Sequence, residues 1–89
     1  MDNIVIEQLT PEQINEKKIR QWPIWEKEVS TFDRHYDSNE QCLFLEGLVE
    51  VKAEGKTYTI KKGDFVTFKH RLSCIWHVKQ AVKKHYNFY

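Results

Sequence analysis

The sequence is short of punctuation and of charge imbalance. Three glycines and two prolines stand among 89 residues, with no Gly/Ser linker, repeat or low-complexity tract, so nothing marks a domain boundary and one domain spanning residues 1–89 is expected. Fourteen Lys and Arg offset thirteen Asp and Glu, a formal charge of +1. Sequence-independent phosphate binding needs a surplus of basic residues on one face, so a nucleic-acid partner is not expected. The one local surplus, Lys79 with Lys83, Lys84 and His85, reads as a solvated strand or turn, with Tyr86 packed inward. No apolar run is long enough to span a bilayer, and no basic region followed by an apolar stretch and cleavage site begins the chain. The expected location is the cytoplasm, with no membrane partner. The two cysteines, Cys42 and Cys74, suit a reducing compartment better than a disulfide scaffold, although their spacing leaves pairing in space open. C-x-x-C and paired-histidine spacings are missing, which argues against a structural zinc site.

Hydrophobic residues make up 40% of the chain and aromatic residues 13%. A domain this small buries only roughly 60 to 70% of its unfolded surface, so a few large rings must fill much of the core. The segment Asn3-Ile4-Val5-Ile6-Glu7 is β-branched and predicted to be extended. Thr10-Pro11-Glu12-Gln13 is a helix start, with Thr10 as N-cap, Pro11 in the first turn and Gln13 able to reach back to the cap. The helix is predicted to run to about Ile19 and to lie against the rest of the fold. Trp22-Pro23 ends this region, and Trp22 and Trp25 offer large side chains to cover an opening or edge.

From Trp25 onward the period is two. Strands are predicted at Trp25–Val29, Thr31–Tyr36, Gln41–Glu46, Leu48–Ala53, Lys56–Ile60, Phe65–Phe68, Ser73–Val78 and Ala81–Phe88, with turns at Glu54-Gly55-Lys56 and Lys62-Gly63-Asp64. Leu43-Phe44-Leu45 is apolar on both faces. One face should meet the interior, and the other a second sheet, the N-terminal segment or another subunit. That pattern and the aromatic content predict a homodimer.

Two stretches carry a resemblance. Phe32 to Val51 holds Glu40 and, further on, Gly47; Tyr58 to Val78 holds Gly63-Asp64, Cys74 and Trp76. Together they resemble the two motifs of the cupin superfamily. Tyr36, Leu45-Glu46-Gly47, Gly63-Asp64, Trp76 and Val82-Lys83-Lys84-His85-Tyr86 further resemble its branch of ureidoglycine aminohydrolases and ethanolamine-utilisation-like proteins. The resemblance implies an all-β fold, a single antiparallel jelly-roll barrel (residues 25–89), with a short helix and a strand in residues 1–24 packed outside it.

Metal-binding cupins place two histidines ahead of the motif glutamate. In this chain those positions hold either Arg34 and Tyr36 or Asp33 and His35, and strand alternation points the two pairs to opposite faces. In the second motif Lys69 and Arg71 replace a proline and a glycine, and Cys74 stands at the fourth ligand position. With Tyr36 aligned, the interior carries Arg34, Tyr36, Glu40, Cys42, Phe44, Cys74 and Trp76. The resemblance then implies a ligand site of Arg34, Tyr36, Glu40, Cys74 and Trp76, with Glu40, Tyr36 and Cys74 as catalytic candidates.

Arg34 offers an anionic group a rigid fork of donors, so a small polar or anionic metabolite is the expected partner. No cofactor is expected, because Glu40 and Cys74 alone are too few ligands for a metal. Two readings stay open beside this one. The first is a non-catalytic dimeric interaction module whose barrel is filled by its own side chains. The second is an enzyme using a divalent metal on Glu40 and Cys74.

Overall fold

Gly47 does not end a strand. In the computed structural model, which describes residues 3–89, one strand runs unbroken from Glu40 to Ala53. At Gly47 the backbone turns to a φ of +107°, and the pairing with the C-terminal strand slips between Phe44 and Val49. This is a bulge, which bends a strand and raises its twist without ending the ladder. The final strand is likewise continuous, Ser73–Phe88, where the sequence suggested a break at Lys79-Gln80. The bulge lies opposite that point, with Leu48 beside Gln80.

The elements are β1 (Ile4–Gln8), α1 (Pro11–Glu16), a 3₁₀ turn (Ile19–Gln21), β2 (Ile24–Lys27), β3 (Ser30–His35), β4 (Glu40–Ala53), β5 (Lys56–Lys61), β6 (Asp64–Phe68) and β7 (Ser73–Phe88). The seven strands of the described residues belong to one sheet, and its pairings are antiparallel. Along one edge β4 pairs first with β6 and then with β5, and along the other with β7. The free edge of β7 takes β3 and then β2, while β1 pairs with β6. At the β4–β5 hairpin Glu54 and Gly55 both take positive φ, +54° and +77°. That is the conformation a two-residue hairpin loop requires, because its twist matches that of the flanking strands.

Thr10 and Gln13 form the expected reciprocal cap: the Thr10 hydroxyl accepts from the Gln13 N–H, and the Gln13 side chain accepts from the Thr10 N–H. The helix stops at Glu16, short of Ile19. Lys18 adopts a left-handed φ of +56°, which breaks the helix and turns the fully buried Ile19 inward.

Two apolar clusters flank the sheet. Tyr36, Cys42, Phe44, Phe68, Trp76 and Val82 belong to the larger one. Ile19, Leu43 and Phe65 form the second, closed by Leu9, Ile14, Trp22 and Leu45. The second face of Leu43-Phe44-Leu45 is therefore covered by the N-terminal segment of the same chain. Trp22 packs on Phe65 at 6.4 Å between centroids, and its carbonyl accepts a hydrogen bond from His85 Nδ1 at 2.9 Å. Among the described residues no helix is long and apolar enough to cross a membrane.

Candidate functional site

The site begins with Glu40, the first residue of β4, which is 2% exposed. Its backbone is held on two sides. Asn39 exchanges two backbone hydrogen bonds with Tyr89, and its side-chain oxygen accepts from the His70 N–H at 2.9 Å. In register Glu40 lies between Phe68 of β6 and Phe88 of β7.

The close partner of Glu40 is Lys84, whose Nζ lies 3.2 Å from Oε2 and 3.2 Å from the Cys42 sulfur. Lys84 is 4% exposed, which corrects the expectation of a solvated charge there; His85 beside it is buried as well. The ammonium is surrounded by rings, 4.9 Å from the centroids of Trp25 and Trp76 and 5.8 and 5.9 Å from those of Phe44 and Phe68. Ring faces attract a cation within about 6 Å, most strongly where water is excluded. They supply part of the stabilisation that water would give an exposed lysine.

Arg34 approaches from the other side, with Nη2 3.6 Å from Glu40 Oε1. Its guanidinium lies 4.5 Å above the Tyr36 ring, and that ring stacks on Phe68 at 4.8 Å. The register thus puts Arg34 and Tyr36 on the Glu40 face. His35 points the other way, bonded through Nδ1 to the Ser73 hydroxyl at 2.8 Å. The Arg34 side chain is 36% exposed, against 5% for Lys84. One cation closes the inner end of the site and the other stands at its mouth.

Between them is a cavity of about 330 Å³. Its polar wall is Arg34, Glu40 and Lys84, and its apolar walls are Trp25, Phe32, Trp76, Tyr86 and Phe88. Of the five residues expected to bind a ligand, Arg34, Glu40 and Trp76 line this space and Tyr36 and Cys74 do not. Tyr36 lies beneath Arg34, its hydroxyl buried without a hydrogen-bond partner among the described residues. Burial, with the Glu40 carboxylate nearby, holds its phenol far above the usual range. Cys74 borders a separate open groove with His35 and Ser73, and its thiol lies 3.7 Å from the Arg34 carbonyl.

Burial pushes the Cys42 thiol up to about 12 and the Cys74 thiol up to about 11. Both are therefore neutral thiols near pH 7, without the thiolate that nucleophilic attack needs. With the thiols neutral, two cations and one carboxylate leave the polar wall one positive charge in excess. Glu40 is flanked by an ammonium at 3.2 Å and a guanidinium at 3.6 Å, and both repel a divalent cation placed beside it, so this donor set fits one poorly. Among the described residues no group of three or more His, Cys, Asp or Glu side chains could hold a metal ion.

The antiparallel sheet with its one short helix is the fold of a cupin domain. The chain belongs to the EutQ-like cupin domain family, whose family model matches residues 14–86. It is similar to a DUF861 family protein from Thermotoga maritima of known crystal structure, at 55% identity over 97% of this chain and 99% of that one, with a TM-score of 0.95. The EutQ protein of Clostridium difficile shares the fold, at 14% identity over 100% of this chain and 74% of that one, with a TM-score of 0.69. No curated protein matches the chain.

Proposed function

We propose that this cupin domain binds a small metabolite carrying a carboxylate or similar anionic group, in the cavity between Arg34 and Lys84 and without a resident metal. The sheet closing on itself as a jelly-roll barrel would enclose that cavity. The observation that carries the reading is the charge on the polar wall, where one buried carboxylate faces cations at 3.2 and 3.6 Å. An anion entering among low-dielectric ring walls neutralises that excess. Arg34 suits the contact because its planar fork can donate two parallel hydrogen bonds to a carboxylate. It holds Glu40 only at 3.6 Å, beyond good hydrogen-bond length, so little is given up when it turns to a ligand. A cavity of about 330 Å³ lies at the small end of the ligand-site range and suits a metabolite of few heavy atoms.

A thermal-shift screen of small carboxylic acids with EDTA present tests this. Mass action gives about 2.7 kcal/mol at a hundredfold excess over Kd, a rise in Tm of roughly 10–20 °C for a domain this size. Arg34→Met should fold and lose most of that rise. If Arg34 serves only as a structural partner of Glu40, the variant melts lower and no acid distinguishes it from wild type. The reading fails in that case, and equally if no acid shifts the wild type.

The same proposal includes a homodimer. Its apolar surface would come from the exposed Ile24, Val29, Phe88 and Tyr89, since Leu43 is covered within the chain. Light scattering that gives a monomer mass at micromolar concentration and above would remove it.

A further inference from the structure

The two oxygens of Glu40 are unequal. Oε2 accepts a hydrogen bond from Lys84 at 3.2 Å, whereas Oε1 is buried with no hydrogen-bond partner among the described residues, Arg34 lying 3.6 Å away. Glu40 lines the cavity. A buried carboxylate oxygen left without a donor is costly, and native structures rarely keep one unless something else satisfies it. Resting on the anion-binding reading above, we propose that the bound anion is a small hydroxy acid, whose hydroxyl donates to Glu40 Oε1 while its carboxylate takes Arg34.

The electrostatics select the donor. An ammonium group, as in an amino acid, would restore the positive excess that the carboxylate had neutralised and would lie close to Lys84 and Arg34. A neutral hydroxyl satisfies Oε1 without doing so. A carboxylic acid with neither group presents no donor and leaves Oε1 as it was. Sites built to hydrogen-bond a substrate hydroxyl discriminate strongly against the analogue lacking it, because a buried polar group is then left unpaired.

The test compares matched acids on the full chain by calorimetry: lactate against propionate, glycolate against acetate, and alanine and glycine as the amino counterparts. Lactate and glycolate should bind about tenfold to a hundredfold more tightly than propionate and acetate, the range set by a hydrogen bond to a charged acceptor. The amino acids should bind more weakly than the hydroxy acids. In Glu40→Gln, whose amide oxygen can still accept from Lys84, the preference for hydroxyl should collapse towards unity. Equal binding of lactate and propionate overturns the hydroxyl contact and leaves the anion site standing. Tighter binding of alanine overturns the choice of a neutral donor. An unchanged preference in Glu40→Gln shows that the hydroxyl goes elsewhere, and absence of binding by every acid overturns the anion site itself. If Glu40→Gln does not fold, the wild-type comparison of lactate with propionate still decides.

Discussion

Lys84→Met should destabilise the protein by about 3–5 kcal/mol, the usual cost of removing one partner from a buried ion pair. At 4–8 °C per kcal/mol for a domain of this size, that lowers Tm by roughly 12 °C or more. The methionine can fill the same volume among Trp25, Trp76, Phe44 and Phe68, so loss of packing contributes little. What is lost is the hydrogen bond to Glu40 Oε2 at 3.2 Å, after which the carboxylate keeps only Arg34 at 3.6 Å. Replacing both partners, Lys84→Met with Glu40→Leu, should recover most of the loss, because an apolar pair of similar size carries no desolvated charge. Lys79→Met is the control: its contact with Glu50 is 3.8 Å long and its side chain half exposed, so it should change stability by no more than about 1 kcal/mol. Thermal melts of the four proteins measure this, and a Lys84→Met protein as stable as wild type would sink the argument.

Gly47→Ala is expected to be comparably damaging, for reasons of backbone rather than charge. A Cβ at this position would lie 2.7 Å from both the Ala81 carbonyl oxygen and the Val82 Cα, and 3.0 Å from the Gln80 carbonyl oxygen. All three are main-chain atoms of β7, which cannot swing aside as a side chain would. The φ of +107° adds strain of about 1–3 kcal/mol for any residue with a Cβ, and overpacking adds about 1–3 kcal/mol more. Gly55→Ala is the comparison, since its φ is +77° and a Cβ there meets nothing within 4 Å. It should show the conformational cost alone. Denaturant unfolding of both variants separates the two terms, and equal losses would refute the close approach of β4 and β7 at the bulge.

The strand pattern was legible because side-chain period and turn residues act locally: Gly55, Gly63 and the Thr10–Gln13 cap each stand where their sequence chemistry puts them. Gly47 and Lys79-Gln80 were misread as breaks because a bulge needs the same residues as a turn, and only the neighbouring strand distinguishes them. Strand alternation alone left Arg34 with Tyr36 and Asp33 with His35 as alternatives, and only the alignment of Tyr36 with the cupin motif put Arg34 inside. That choice depends on the Arg34–Cys74 pairing across β3 and β7, a long-range register. Lys84 was missed although the signal was present. Cys74, Trp76, Val78, Val82 and Lys84 are all buried and share even parity along one strand, so the period-two rule that put Trp76 inside also put Lys84 there. Charge composition outweighed parity in that reading. An ammonium is buried this way only where a carboxylate and ring faces replace water, and those partners lie far away in the chain.

The order in which the chain is made gives β7 a further meaning. Among the described residues β2 and β3 pair with no strand other than β7, and the lysine that pairs with Glu40 is Lys84 of that same strand. During synthesis the early strands therefore wait with unpaired edges, while the β4–β5 hairpin can form at once. Assembly of this kind is governed by contacts distant in sequence, which form slowly and leave hydrophobic edges open in the interval. The buried charge pair and the cavity both need residues of β7, so neither is complete before that strand joins the sheet.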